Sequence, residues 1–234
     1  MMRKPVATAA ERNSHAILGV IREELQRLQS VLEIGSGTGQ HAVYFCGELP
    51  HLDWQTSDVA GNHEVINVWV DDASLDNIRR PLALDVLDAE VPDQSYDAVF
   101  SANTAHIMSM EAVARMFRIV AEVLEDHGVF MLYGPFRQAG RFNTPSNEQF
   151  DLSLRQQDAA MGVRDLEDLD ELAAHGNLRR SRLYAMPANN HLVVYGVSDT
   201  ANCLDRETIR SQRITPFDGN NWEENIHQLS PISD

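Results

Sequence analysis

Positive charge is scarce in this sequence. Lys and Arg number 19 against 35 Asp and Glu, the net charge is -16 over 234 residues, and Lys4 is the sole lysine. Broad contact with nucleic acid needs clustered cations on one face, so a nucleic-acid partner is not expected. The single lysine also excludes the phosphate loop, because no Gly-Lys-Ser/Thr follows any glycine run. Cysteine is as rare. Cys46 and Cys203 lack metal-ligand spacing, so reduced thiols and no metal site are expected. Cys46, among Val43, Tyr44 and Phe45, reads as a small buried hydrophobe. No apolar run is long enough to span a bilayer, and the N-terminus shows no signal-peptide pattern. A cytoplasmic protein without membrane contact is the expectation. What remains, 43% hydrophobic and 23% charged, suits one α/β domain with a full core.

The chain is organised around residues 31–42, Val-Leu-Glu-Ile-Gly-Ser-Gly-Thr-Gly-Gln-His-Ala. Val31, Leu32 and Ile34 read as a buried parallel strand. Gly35, Gly37 and Gly39 permit a tight turn and close backbone approach to a ligand. A helix resumes at His41, so the turn feeds a helix N-terminus, where an anionic group is favoured. The dinucleotide fingerprint G-x-G-x-x-G fails here, since Gln40 occupies its last position. What stands instead is Glu33-x-Gly35-x-Gly37-x-Gly39, similar to the first motif of the class I S-adenosylmethionine-dependent methyltransferases.

The remainder alternates strand and helix. Residues 8–29 form an amphipathic pattern with Ile17, Leu18, Ile21, Leu25 and Leu28 on one stripe, and Thr8 and Glu11 have capping-box spacing. Strands are expected at 52–59, ending in Ser57-Asp58, and at 81–86, ending at Asp85-Val86. An acidic residue about 20 positions past such a loop can accept ribose hydroxyls. A further strand at 96–101 runs into Asn103 and His106. Val113, Met116, Phe117, Val120 and Leu124 then mark a covering helix. A fifth strand spans 129–133. Residues 137–165 form a polar excursion of lid size, with a helix near 147–158 and a capping-box spacing at Ser146 and Gln149. Asp165 caps a short helix that Gly176 ends. Strands near 180–186 and 191–197, joined by Pro187-Ala188-Asn189-Asn190, must be antiparallel. The fold expected is therefore α/β: a doubly wound, mostly parallel seven-stranded sheet closed by a C-terminal antiparallel hairpin, with ligands beyond the carboxyl ends of its strands. One domain spans 1–197, with 137–165 as its lid insert, and 198–234 is an extension. In that extension Phe217 and Trp222 can pack on the domain or on a second copy, the basis for expecting a homodimer. The other reading is a partly disordered tail.

A narrower resemblance runs through the whole domain. It is carried by Ala10-Glu11-Arg12-Asn13, Glu33 to Ala42, Trp54-Gln55-x-Ser57-Asp58, Pro81-Leu82-x-Leu84-Asp85-Val86, Asn103-x-x-His106 and Tyr133-Gly134-Pro135-Phe136. It continues in Ser146-Asn147-x-x-Phe150-Asp151, Gly162-Val163-Arg164-Asp165 and Met186-Pro187-Ala188-Asn189-Asn190. In this order the blocks resemble a largely uncharacterised branch of the class I methyltransferases that includes methyltransferase-like protein 26. The resemblance covers residues 7–197 and implies S-adenosylmethionine as cofactor and methyl transfer as activity. It implies no particular substrate.

Roles follow as expectations. Gly35, Ser36 and Gly37, with Glu33, are expected at the methionine end of the cofactor. Asp58 is expected at the ribose, Asp85 and Val86 at the adenine, and Asn103 nearby. The resemblance makes Glu11-Arg12-Asn13 a clamp over the cofactor, with Arg12 a partner for its carboxylate, or else a structural element. His106 is the first candidate base, because an unperturbed imidazole titrates near neutrality, though it can equally hold its loop together. Tyr133 is the second candidate, as base or orienter. Asn147, Arg164, Asp165, Asn189 and Asn190 are expected either to contact substrate or to tie the lid to the sheet. A small-molecule acceptor suits the acidic surface and the lid. The rival is a catalytically silent cofactor-binding module.

Overall fold

In the computed structural model, residues 4–88 and 90–197 are described, so the expectations for the 198–234 extension lie outside the described residues. Strands β1 (Ser30–Ile34), β2 (Asp53–Asp58), β3 (Ile78–Ala83), β4 (Tyr96–Ala102) and β5 (Leu124–Gly134) come first along the chain. Short strands β6 (Phe136–Gln138), β7 (Arg141–Phe142) and β8 (Arg164–Asp165) follow, then β9 (Leu178–Met186) and β10 (Asn190–Val197). The helices are α1 (Thr8–Glu24), α2 (Gln40–Glu48), α3 (His63–Ala73), α4 (Met110–Val123), α5 (Pro145–Gln157) and α6 (Leu166–His175).

Seven strands form the main sheet in the order β3-β2-β1-β4-β5-β10-β9. The first five pair in parallel and β10 pairs antiparallel to both β5 and β9. This is the doubly wound sheet with an antiparallel end that the strand–helix alternation implies, and it matches the class I methyltransferase fold. Strand order reverses between β1 and β4, which opens a crevice at their carboxyl ends.

Both faces are buried, as a parallel sheet requires. On one face Val31, Trp54, Phe100 and Met131 pack against Ile17 and Ile21 of α1, Phe45 of α2 and Ile66 of α3. On the other, Leu32, Ile34, Val99 and Phe130 pack against Val113, Met116, Phe117 and Val120 of α4 and Leu166 and Leu169 of α6. The period of two along β1 sends Val31 and Leu32 into opposite cores. Glu33 therefore shares the Trp54 side, fully inside the protein.

Several local expectations are corrected. The first helix ends at Glu24, and Thr8 is its first residue rather than its cap, which is Ala7 without a side-chain bond. β3 begins at Ile78 and ends at Ala83, so Asp85 follows the strand instead of closing it. The lid helix is capped by Thr144, whose hydroxyl accepts from the Asn147 N–H, with Pro145 at the first helical position. That displaces the Ser146–Gln149 box by two residues. Asp165 caps α6 as expected, and Gly176 stands at its C-cap. The lid also carries structure that hydropathy spacing does not reveal: β6, β7 and β8 make a separate three-stranded sheet.

Candidate active site

β1 runs directly into the glycine loop. Gly35, Gly37 and Gly39 all hold positive φ, at 76°, 60° and 82°, a region that other residues enter at a cost. Two of them answer to different neighbours. A Cβ at Gly35 would stand 2.6 Å from Cγ2 of Thr104, whereas one at Gly37 would meet nothing within 4 Å. Gly35 is thus needed for packing against the β4 loop, and Gly37 faces open space. Ser36 and Gly35 donate their N–H groups to the Ser57 carbonyl at 2.9 and 3.0 Å, which ties the loop to the end of β2.

Asp58 closes that end. Its Oδ2 accepts from the Gly37 N–H at 2.7 Å, and its Oδ1 accepts from the Val59 N–H and from Asn62 Nδ2 at 2.8 Å each. A carboxylate has about four lone-pair sites, so these three bonds leave it capacity for a further donor. Beyond β3, Asp85 is exposed and its Oδ1 accepts from the Leu87 N–H at 3.0 Å, while Val86 is buried. Val59 and Leu87, exposed apolar side chains, stand directly after Asp58 and Val86. Asn103 leaves β4 with φ 61° and donates its N–H to the Tyr133 carbonyl at 2.9 Å.

Glu33 lies beneath the loop rather than on it. It is 2% exposed, and its Oε2 accepts from Trp54 Nε1 at 3.3 Å. Burial pushes its carboxyl up to about 7, against the opposing bonds from Ser36 and Trp54. Glu33 therefore sits among the supports of the cradle.

α1 is fixed over the same loop from outside. His41, on the first turn of α2, is 2.7 Å from Asn13 Oδ1 through its Nε2, which requires the proton on Nε2. Burial lowers the His41 imidazole to about 4, so the ring is neutral. Burial raises the Tyr133 phenol, and the Asn13 and Asn190 side chains act on it in the opposite direction. The Ala7 N–H donates to Gln40 Oε1. Arg12, one position before Asn13, is exposed. Gln40, His41 and Trp54 were not picked out by sequence reasoning as parts of the site. Gln40 breaks the dinucleotide fingerprint, and all three residues stand inside the sequence blocks that carry the resemblance.

His106 follows β4 in a tight loop and is 7% exposed. Its ring meets Phe150 of α5 edge-to-face at 5.3 Å between centroids. Burial, with the Arg164 charge second, lowers it to about 4. His106 is therefore neutral at pH 7, below the unperturbed range expected for it. Tyr133 stays protonated for the same reason, because burial disfavours its charged form and raises the phenol. Arg164 donates through Nε to the Ala105 carbonyl at 2.9 Å and through its Nη2 to the carbonyls of Met108 and Ala160. Asp165 Oδ2 accepts from the Gly140 N–H at 2.7 Å. Asn147 Nδ2 donates to the Asn189 carbonyl at 3.0 Å, and Asn189 Nδ2 to Ser146 Oγ at 3.3 Å. Ala188 and Asn189 both sit at positive φ, 56° and 60°, in the turn these bonds secure. Asn147, Arg164 and Asn189 therefore fasten lid to rim, Asp165 bonds Gly140 within the lid, and Asn190 Nδ2 donates to the Pro187 carbonyl at 3.2 Å. No cluster of three metal-type ligands occurs among the described residues, and no helix there is long and apolar enough to cross a membrane.

The residues fit a nucleoside with an amino-acid tail. An open face at Gly37, an acid at the end of β2 and apolar side chains beyond it lie along one rim. Comparison with known proteins agrees at the level of fold. A sequence-family profile described as "Protein of unknown function (DUF938)" matches residues 4–196. The S-adenosylmethionine-dependent methyltransferase SibL has a TM-score of 0.67 at 19% identity, covering 80% of this chain and 55% of that one. The mitomycin 7-O-methyltransferase MmcR gives 0.72 at 14%, covering 82% and 55%. An O-methyltransferase family 2 protein from Planctomyces limnophilus, in complex with apigenin, gives 0.69 at 15%, covering 80% and 58%. The chain spans little more than half the length of these proteins.

Proposed function

Because the chain belongs to the family described as protein of unknown function DUF938 and shares the methyltransferase fold, we propose that it is an S-adenosylmethionine-dependent methyltransferase acting on a small molecule. The observation that carries this reading is the pairing of Gly37, open on its ligand side, with Asp58 at the neighbouring strand end. The resemblance of its sequence blocks to the branch containing methyltransferase-like protein 26 supports it, as do structural neighbours that are small-molecule O-methyltransferases.

The bound cofactor supplies a sulfonium methyl that is already strongly electrophilic. This chain's residues then need to bind, orient and exclude water. Gly35, Ser36 and Gly37 hold the methionine end, with Arg12 above them for its carboxylate. Asp58 takes the ribose hydroxyls, and Asp85 with Val86 takes the adenine. Asn103 lies where the loops of β1 and β4 meet. Tyr133, kept protonated by burial, acts as an orienter rather than a base. His106, neutral at working pH, presents a weak acceptor to the incoming nucleophile beneath the lid. A cytoplasmic setting and the absence of nucleic-acid contact follow from composition and belong to this proposal.

The test is calorimetry with S-adenosylmethionine, followed by incubation of labelled cofactor with a cell extract and mass spectrometry. Uptake is expected, with transfer of label to a metabolite. Asp58→Ala is expected to weaken uptake about ten- to hundredfold, the loss of hydrogen bonds to a charged group. Binding unchanged by that substitution would place the ribose elsewhere. Binding without any labelled product would favour the catalytically silent module.

A further inference from the structure

We infer that Arg164 is a positioning residue, reaching from the lid into the loop after β4 and fixing His106 at the mouth of the site. The inference rests on the reading of that rim as the acceptor side. Its basis is geometric. Arg164 is 6% exposed although it is an arginine, and its guanidinium is spent on backbone oxygens rather than on a carboxylate. Two of those carbonyls, of Ala105 and Met108, flank His106 in sequence, and the third, of Ala160, belongs to the lid. A planar fork with several fixed donors can bridge these carbonyls, and an ammonium cannot reproduce that span.

A second bond closes the same seam. The Gly162 N–H donates to the His106 carbonyl at 2.9 Å. Gly162 itself is boxed in, since a Cβ there would lie 2.5 Å from Arg155 Nη2 and 2.8 Å from Asp151 Oδ1. Asp151 Oδ1 also accepts from the Val163 N–H at 2.8 Å, and Arg155 pairs with Asp151 at 2.7 Å. The strand bearing Arg164 is therefore held on its lid side before it grips the loop. The charged group acting on His106 is Arg164 from β8, on which Arg155 and Asp151 of α5 act in turn, and Phe150 of α5 packs on the ring. The cross-strand partner of His191, Gly134, lies against the imidazole. Arg164 brings a positive charge to a ring that must stay neutral to accept a proton or hydrogen bond. Fixing the loop and keeping the imidazole deprotonated are thus two effects of one side chain.

Histidine titration by NMR on the full chain tests this, with the His106 signal assigned by its loss in His106→Gln. In the unmodified protein His106 stays neutral down to about pH 4. Arg164→Met is expected to raise its proton affinity by up to about tenfold, burial keeping the larger part of the lowering, and to speed amide exchange at Gly162. Arg164→Lys keeps the charge without the fork, so it is expected to leave the proton affinity low while still speeding that exchange. An unchanged His106 titration in Arg164→Met, or equal movement in both variants, overturns the inference. Should Arg164→Met not fold, the lysine variant decides: unaltered exchange at Gly162 sinks it. No methyl donor is needed for these readouts. Failure to bind the donor would remove the methyltransferase reading and leave the coupling of Arg164 to His106 to be judged on its own.

Discussion

Gly35 and Gly37 share a backbone conformation and differ in what surrounds them, and that difference separates folding from binding. Gly35→Ala puts a methyl group 2.6 Å from Thr104 Cγ2 at φ 76°. Left-handed strain and overpacking add, so a loss of about 2–4 kcal/mol in urea unfolding is expected. Gly37→Ala has only the strain, about 1 kcal/mol, but fills the open face of the cradle. It is expected to stay folded and lose uptake of S-adenosylhomocysteine in a calorimetric titration. Normal uptake by Gly37→Ala would move the cofactor away from this loop. The glycines were legible in the sequence because positive φ leaves a residue-type signature. The state of His106 was not, since the burial and the neighbouring Arg164 that lower it come from elements far apart in the chain. Arg164 itself was legible only as a loop residue, because carbonyl partners leave no side-chain pattern to read.

Elements show the same division. α4 was readable because Val113, Met116, Phe117 and Val120 recur at helical spacing over a full face, and all four are buried. The β9–β10 hairpin was readable because so short a link permits only one strand direction. β3 was misplaced by several residues. Its run is largely exposed, with Arg79 and Arg80 on an edge strand, so burial did not mark its start. The two-residue strands β7 and β8 are too short for any period to show. The lid helix α5 offers a test at this scale. Thr144→Ala removes its cap and is expected to cost about 1 kcal/mol. Because α5 buries only Asn147, Asp151 and Leu154 against the rest of the chain, that loss should be local. Hydrogen exchange should rise across residues 145–157 while β4 and β5 keep their protection. Uniform loosening of the sheet would show that the lid and the domain unfold as one unit.

At the scale of the whole molecule, two cores on either side of one sheet leave little room for charge, and the ionisable groups trapped between them set how stability depends on pH. His41, His106 and His191 are lowered to about 4, chiefly by burial. Their unfolded value is about 6.5. Stability contributed by keeping them neutral is present above that value and is lost as pH falls through 4. Glu33 acts in the opposite direction. Its folded carboxyl is raised from 4.5 to about 7, so the folded state holds a proton that the unfolded state releases. Stability is therefore greatest below 4.5 and declines as pH rises to about 7, after which the ionised group remains a constant burden. Asp170 behaves likewise up to about 6, because burial outweighs its Arg180 partner at 2.8 Å. These opposing slopes overlap between pH 4.5 and 6.5, so the net profile conceals each of them and only a substitution separates them. Glu33→Gln keeps an acceptor for Trp54 Nε1 and cannot ionise. Compared with the unmodified chain, it should gain up to about 3 kcal/mol in unfolding free energy between pH 5 and pH 8, read from urea transitions at both values. Parallel profiles for the two proteins would mean that Glu33 ionises freely in the folded state, and that the glycine loop rests on a solvated rather than a buried carboxyl.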